Sequence, residues 1–219
     1  MRRGASTHDC HAIFIERVHR LLQAGYAAMN AKAFNTKEEP DISGELAEKI
    51  QSLIDDGKCP GISRSWSVMD NAPENQPHLP LAKRRLGKRR KLPDIKFRYG
   101  GLRETFYFRF EAKRLQDTGS YEDLIGEKDG LGRFTRREYG RKDSAGGLLG
   151  YVQTGTAEIH AARVEQAFAA NPKLYRIGTD GVWTVVKWKD GPTCCFRTVH
   201  ARKYTSETII IYHSFLSFR

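Results

Sequence analysis

Three side chains within residues 91–115, KLPDIKFRYGGLRETFYFRFEAKRL, are of types that do chemistry together: Asp94, Glu111 and Lys113. Two carboxylates held side by side repel. They persist most readily around a hard cation, and Mg²⁺, with Mn²⁺ as a substitute, takes oxygen ligands of this kind. A lysine beside them neutralises a phosphate, orients a water or stabilises a developing oxyanion. Asp94 and Glu111 as metal ligands and Lys113 as their catalytic partner are thus the parts of a metal-dependent phosphodiester hydrolysis site. The bland alternative is the solvated face of an amphipathic hairpin, where such charges are ordinary.

Positioning them falls to two strands. Phe106, Phe108, Phe110 and Ala112 alternate with Tyr107, Arg109, Glu111 and Lys113, and Ile95, Phe97 and Tyr99 alternate with Asp94, Lys96 and Arg98. Successive side chains of a strand point to opposite faces, so each strand has an apolar and a charged face. The apolar faces must share a side, which puts Asp94 on the face of Glu111 and Lys113. A two-residue turn at Gly100-Gly101 would set Asp94 opposite Tyr107, four residues and ~13 Å from Glu111. A loop over residues 100–105 pairs Tyr99 with Phe106 and sets Asp94 opposite Glu111. The Leu-Arg-Glu after the glycines does not suit a tight turn, and the longer loop is expected.

Pro93-Asp94, followed by Glu111-Ala112-Lys113 at the end of an apolar strand, resembles the signature of the PD-(D/E)XK nucleases, a superfamily of restriction endonucleases and repair nucleases. Residues 87–115, Leu131-Gly132-Arg133-Phe134, residues 147–153 and residues 211–216 more loosely resemble its bacterial members. The resemblance implies a restriction-endonuclease-like α/β core, the carbonyl of Ala112 as a further metal ligand, and an early-helix carboxylate completing the site. Glu45 is the candidate for that carboxylate; otherwise it is a glutamate favoured by the helix dipole. It further implies DNA rather than RNA as substrate, a 5′-phosphate product and a setting in bacterial defence against foreign DNA. A non-catalytic nucleic-acid-binding subunit built on the same fold is the rival reading, and a structural protein whose basic run binds an acidic partner is a second. A homodimer and an activating partner protein are both compatible with it.

The charge supports a polyanionic partner. The net charge is +11, and residues 83–114 carry 13 basic against 3 acidic side chains, while residues 1–82 carry 9 against 11. The segment KRRLGKRRK holds Lys83, Arg84, Arg85, Lys88, Arg89, Arg90 and Lys91. Together with Arg109 and Arg114 these are the expected contacts to a phosphate backbone. No apolar run approaches 18 residues, so no membrane span is expected. Arg2 and Arg3 precede no apolar signal core, and Cys10, Cys59, Cys194 and Cys195 show no CxxC spacing. A cytoplasmic location with free thiols is therefore expected. His8, Cys10 and His11 could bind zinc but read as the start of a helix.

One domain over residues 1–219 is expected, with N-terminal helices in 1–57 and a sheet with flanking helices in 66–216. Apolar spacing predicts helices over 11–33, 43–56 and 156–170, with Leu46, Ile50, Leu53 and Ile54 as the stripe of the second. Residues 35–40 read as a break, 116–129 as a loop or lid, and 131–139 as a short helix exposing Arg133, Arg136 and Arg137. Residues 144–153, SAGGLLGYVQ, read as a helix rich in small residues with polar Gln153 at its end. Strands are expected at 66–68, 183–188, 195–200 and 208–216, with His200 and His213 as structural histidines. The whole is an α/β protein with a mixed central β-sheet flanked by helices.

Overall fold

The computed structural model describes residues 7–70, 92–100, 104–117, 120–178 and 181–219, apart from the side chains of the first two. Lys83, Arg84, Arg85, Lys88, Arg89, Arg90 and Lys91 lie outside the described residues.

The fold is α/β, with one mixed seven-stranded sheet between helical layers. Helices α1 (Thr7–Ala28) and α2 (Glu39–Asp55) come first, then β1 (Trp66–Asp70), β2 (Ile95–Gly100) and β3 (Thr105–Leu115). Short helices α3 (Tyr121–Ile125) and α4 (Leu131–Thr135), β4 (Ala145–Val152), α5 (Ala157–Ala170), β5 (Thr184–Val185), β6 (Cys195–Ala201) and β7 (Thr208–Ser217) follow. The sheet order is β1-β2-β3-β4-β7-β6-β5. Strand β4 runs parallel to β3 and β7, and the other pairs are antiparallel.

Each face of the sheet carries its own core. Phe97, Phe108, Phe110 and Ala112 pack with Phe14, Val18, Leu46 and Ile50 of α1 and α2. Leu115, Leu148 and Phe215 pack on the other face with Leu124, Phe134, Val164 and Phe168 of α3, α4 and α5. The hairpin alternation fixes this: the phenylalanines of β3 take one side, and Glu111 and Lys113 take the other, at the margin of the second core.

The register is the long-loop one. Tyr99 pairs with Phe106 and Ile95 with Phe110, so Asp94 continues the ladder opposite Glu111. Pairing extends to Gly100 and Thr105, one step further than the expected loop.

Several expectations need correction. Residues 144–153 form a central strand, β4, buried along its whole length. A strand covered on both faces has no alternation to read. Its glycines make room for neighbouring rings: a Cβ at Gly147 would lie 2.2 Å from the Phe110 ring, and one at Gly146 would lie 2.4 Å from that of Phe134. Helix α2 begins at Glu39, because Pro40 sits in its first turn, where a missing N–H costs nothing, and does not end the preceding break. A 3₁₀ turn, Ala31–Phe34, ends the first helical segment. Within 116–129, α3 buries Leu124 and Ile125, so this stretch is part of the second core. Thr156 caps α5 as its hydroxyl accepts from the Ile159 N–H, 3.3 Å. No helix is long and apolar enough to cross a membrane, among the described residues.

Candidate active site

The end of β3 and the residue before β2 bring the two carboxylates together. Asp94 Oδ2 accepts from the Ala112 N–H at 2.6 Å, which locks the side chain across the strand pair. Glu111 is 1 % exposed. Its Oε1 lies 3.1 Å from Lys113 Nζ and 3.4 Å from Arg133 Nε, and its Oε2 lies 2.9 Å from the Tyr139 hydroxyl.

Lys113 is the hub. Its ammonium donates to the Ala112 carbonyl at 2.7 Å and to Glu39 Oε1 at 2.9 Å, besides facing Glu111. Burial opposes that charge, but Glu111, Glu39 and Asp94 outweigh it and hold the ammonium up to about 12. Burial, with Glu111 close by, pushes Asp94 up to about 7. Burial likewise raises Glu111, against the pull of Lys113 and Arg133.

Tyr139 ties the two carboxylate arms together. Its oxygen sits 2.5 Å from the carbonyl of Leu92, two residues before Asp94, and takes a contact from Arg133 Nη1. One phenolic proton cannot serve both Leu92 and Glu111. With Glu111 protonated, the carboxyl donates to the phenol and the phenol donates to Leu92. With Glu111 ionised, the phenol must turn toward it. Arg133 in turn is gripped by Asp129, 2.7 Å from Nη2.

Second-layer groups hold these in place. Arg202 is buried and donates to the carbonyls of Phe134 (3.3 Å), Gly140 (3.0 Å) and Asp143, so it secures the segment that carries Arg133 and Tyr139. Gln153, just after β4, donates to the carbonyls of Phe34 and Lys37, both 2.9 Å, fixing the approach to α2 and so Glu39.

The α2 carboxylate in the site is Glu39, not the expected Glu45, which forms an i,i+4 pair with Lys49 at 3.1 Å. Six residues apart on a helix, the two point to different sides. Arg109 is also corrected as a phosphate contact: it is buried and ion-paired with Asp143. Arg114 alternates to the opposite face from Glu111 and pairs through both terminal nitrogens with Glu38 (2.9 and 2.7 Å). Arg133 is not displayed to solvent but turned onto Glu111. His200 and His213 are both buried and meet Thr198 Oγ1 at 2.6 and 2.7 Å, a structural cluster in the second core. Cys10, Cys59, Cys194 and Cys195 are free thiols. His11 lies in α1, its ring 6.1 Å from that of Phe106.

The donor set suits a hard divalent ion. No group of three or more His, Cys, Asp or Glu positioned for a metal occurs among the described residues. Two carboxylates and the Ala112 carbonyl are nonetheless the oxygen donors that Mg²⁺ uses when substrate and water complete its shell. The Lys113 ammonium already stands as a cation enclosed by three oxygens, from Glu39, Glu111 and Ala112. No protein-family model, curated protein or solved structure matches the chain.

Proposed function

We propose that the protein is a Mg²⁺-dependent nuclease of the PD-(D/E)XK type, with a restriction-endonuclease-like core, acting on DNA rather than RNA in bacterial defence. The observation that carries this reading is the β2–β3 register, which sets Asp94 opposite Glu111 with Lys113 against Glu111. Asp94, Glu111 and the Ala112 carbonyl would hold the ion, with Glu39 beside them. The bound ion supplies a water acidified toward neutrality and a polarised phosphoryl oxygen. Lys113, charged throughout the neutral range, acts as an electrostatic and orienting group and not as a proton acceptor. Tyr139 and Arg133 fix the Glu111 carboxylate. Both ends of the connection that contains Lys83 to Lys91 leave from the same place, since Asp70 pairs with Ile95 next to Asp94.

Supercoiled plasmid with Mg²⁺ tests the reading: nicking is expected, lost with EDTA and in Asp94→Ala, Glu111→Ala and Lys113→Ala. Equal nicking by Glu111→Ala would sink the assignment of the site. The 1 % exposure of Glu111 favours a second reading, a nucleic-acid-binding subunit that does not cut. That protein would bind DNA without nicking it at any Mg²⁺ or Mn²⁺ concentration.

A further inference from the structure

On the charged face of the hairpin, beyond the carboxylates, β2 continues with Lys96 and Arg98, and β3 opposes them with Arg109 and Tyr107. Helix α4 and the segment after it cover Glu111 and Arg109 through Arg133, Tyr139 and Asp143, and among the described residues this cover stops there: Arg98 is exposed, Lys96 and Tyr107 are half-buried, and Met69 of β1, opposite Lys96, is 41 % exposed. Lys96 Nζ lies 5.0 Å from the Tyr107 ring centroid and the Arg109 guanidinium 5.2 Å from it, so the tyrosine ring lies against two cations on this face. The shelf is bordered by Arg141 and Lys142, both exposed, on the segment that Asp143 anchors to Arg109.

We infer that this shelf, built on Lys96 and Arg98 and bordered by Arg141 and Lys142, is a track for the sugar-phosphate backbone of duplex DNA leading to Asp94 and Glu111. The inference rests on the nuclease reading only for where the strand leads. The charge is complementary to phosphate, and the row is in line with the carboxylates: Asp94, just before β2, and Lys96 and Arg98 within it fall on one face. Arg98 stands four residues from Asp94, ~13 Å at ~3.3 Å per residue, about the axial length of four nucleotides of one duplex strand at ~3.4 Å each. A protein strand is a poorer occupant of the adjoining sheet edge. The Val68 N–H is already given to Gln51 Oε1 at 2.9 Å and the Trp66 N–H to the Ser63 carbonyl at 3.1 Å. Contacts of this kind read no bases, so the track is indifferent to sequence.

Fluorescence anisotropy with short labelled duplexes of unrelated sequence, in EDTA so that nothing is cut, tests it. Lys96→Gln/Arg98→Gln is expected to weaken binding equally on every duplex and to flatten the plot of log K against log salt by ~0.9 per lost contact, ~1.8 for the pair. Arg141→Gln/Lys142→Gln should act the same way. Lys49→Gln, on α2 across the sheet, should change nothing, and thermal melts of all variants should match wild type. An unchanged slope in both double variants overturns the track even if wild type nicks plasmid. A flattened slope in a protein that never nicks keeps the track and removes the nuclease reading. Absence of binding by wild type overturns both.

Discussion

At the scale of single residues, the site is a set of charges that burial disfavours and that only their mutual contacts retain. Asp94 makes the clearest case. A carboxyl whose pKa is raised on folding, here to about 7, binds its proton more tightly in the native state. Its contribution to stability is present in full below the unfolded value near 4 and is lost as pH rises through 7. Metal-free protein should therefore lose stability between pH 4 and 7. Asp94→Asn keeps the acceptor for the Ala112 N–H and should remove that loss, raising stability at pH 8 by about 1 kcal/mol while abolishing cleavage. Denaturant titrations in EDTA at pH 5 and pH 8 measure it; a variant less stable than wild type at pH 8 would show that the carboxylate is no burden. Mg²⁺, which needs the ionised ligand, should stabilise wild type more at pH 8 than at pH 5. Tyr139→Phe probes the neighbouring arm. It leaves the ring packed on Phe134 but unties Glu111 from Leu92. Metal affinity or cleavage should fall 10–100-fold, as for other groups that orient a ligand. Mn²⁺ titration calorimetry on this variant reads the effect without turnover.

At the scale of elements, what the sequence made legible follows how each element is solvated. The hairpin faces two different environments, so its alternation was readable, and counting from Gly100-Gly101 gave the register that faces Asp94 toward Glu111. β4 faces two cores, so its residues carry no alternation, and its glycines imitate a weak helix while serving the rings of Phe110 and Phe134. Glu39 was hidden by Pro40, a residue that breaks a helix interior but opens a helix well. Arg133 and Tyr139 reach Glu111 only because the chain folds back over β3, and no local spacing announces such a return. Arg109 and Arg114 were legible as basic strand residues but not as partners of Asp143 and Glu38. The β4 glycines give a test that separates packing from propensity. Valine is the better strand former, yet Gly147→Val should destabilise the protein by about 2 kcal/mol or more, since its first added carbon meets the Phe110 ring at 2.2 Å. Thermal denaturation decides: a neutral or stabilised variant would mean that Phe110 repacks freely.

At the scale of the molecule, the sheet separates two chemically distinct layers. The layer of α1 and α2 belongs to residues 1–82, whose charges nearly cancel, while most of the positive charge falls in residues 83–114, before and within the hairpin. Asp70 ends β1 opposite Ile95, next to Asp94, and Leu92 lies two residues before Asp94, so the described chain on either side of residues 71–91 lies beside the carboxylates. Neutralising Lys88, Arg89, Arg90 and Lys91 together should weaken binding to all DNA sequences alike and flatten the salt slope by up to ~3.6, at ~0.9 per contact. If the two sets meet different phosphates of one backbone, this loss should add to that of Lys96→Gln/Arg98→Gln. The combined variant, titrated against duplex at rising salt, distinguishes the arrangements. Summed slope losses place both on a continuous path through the site. A combined loss no larger than either alone means that they compete for the same phosphates, and an unchanged slope in the four-residue variant means that the run makes no contact with DNA.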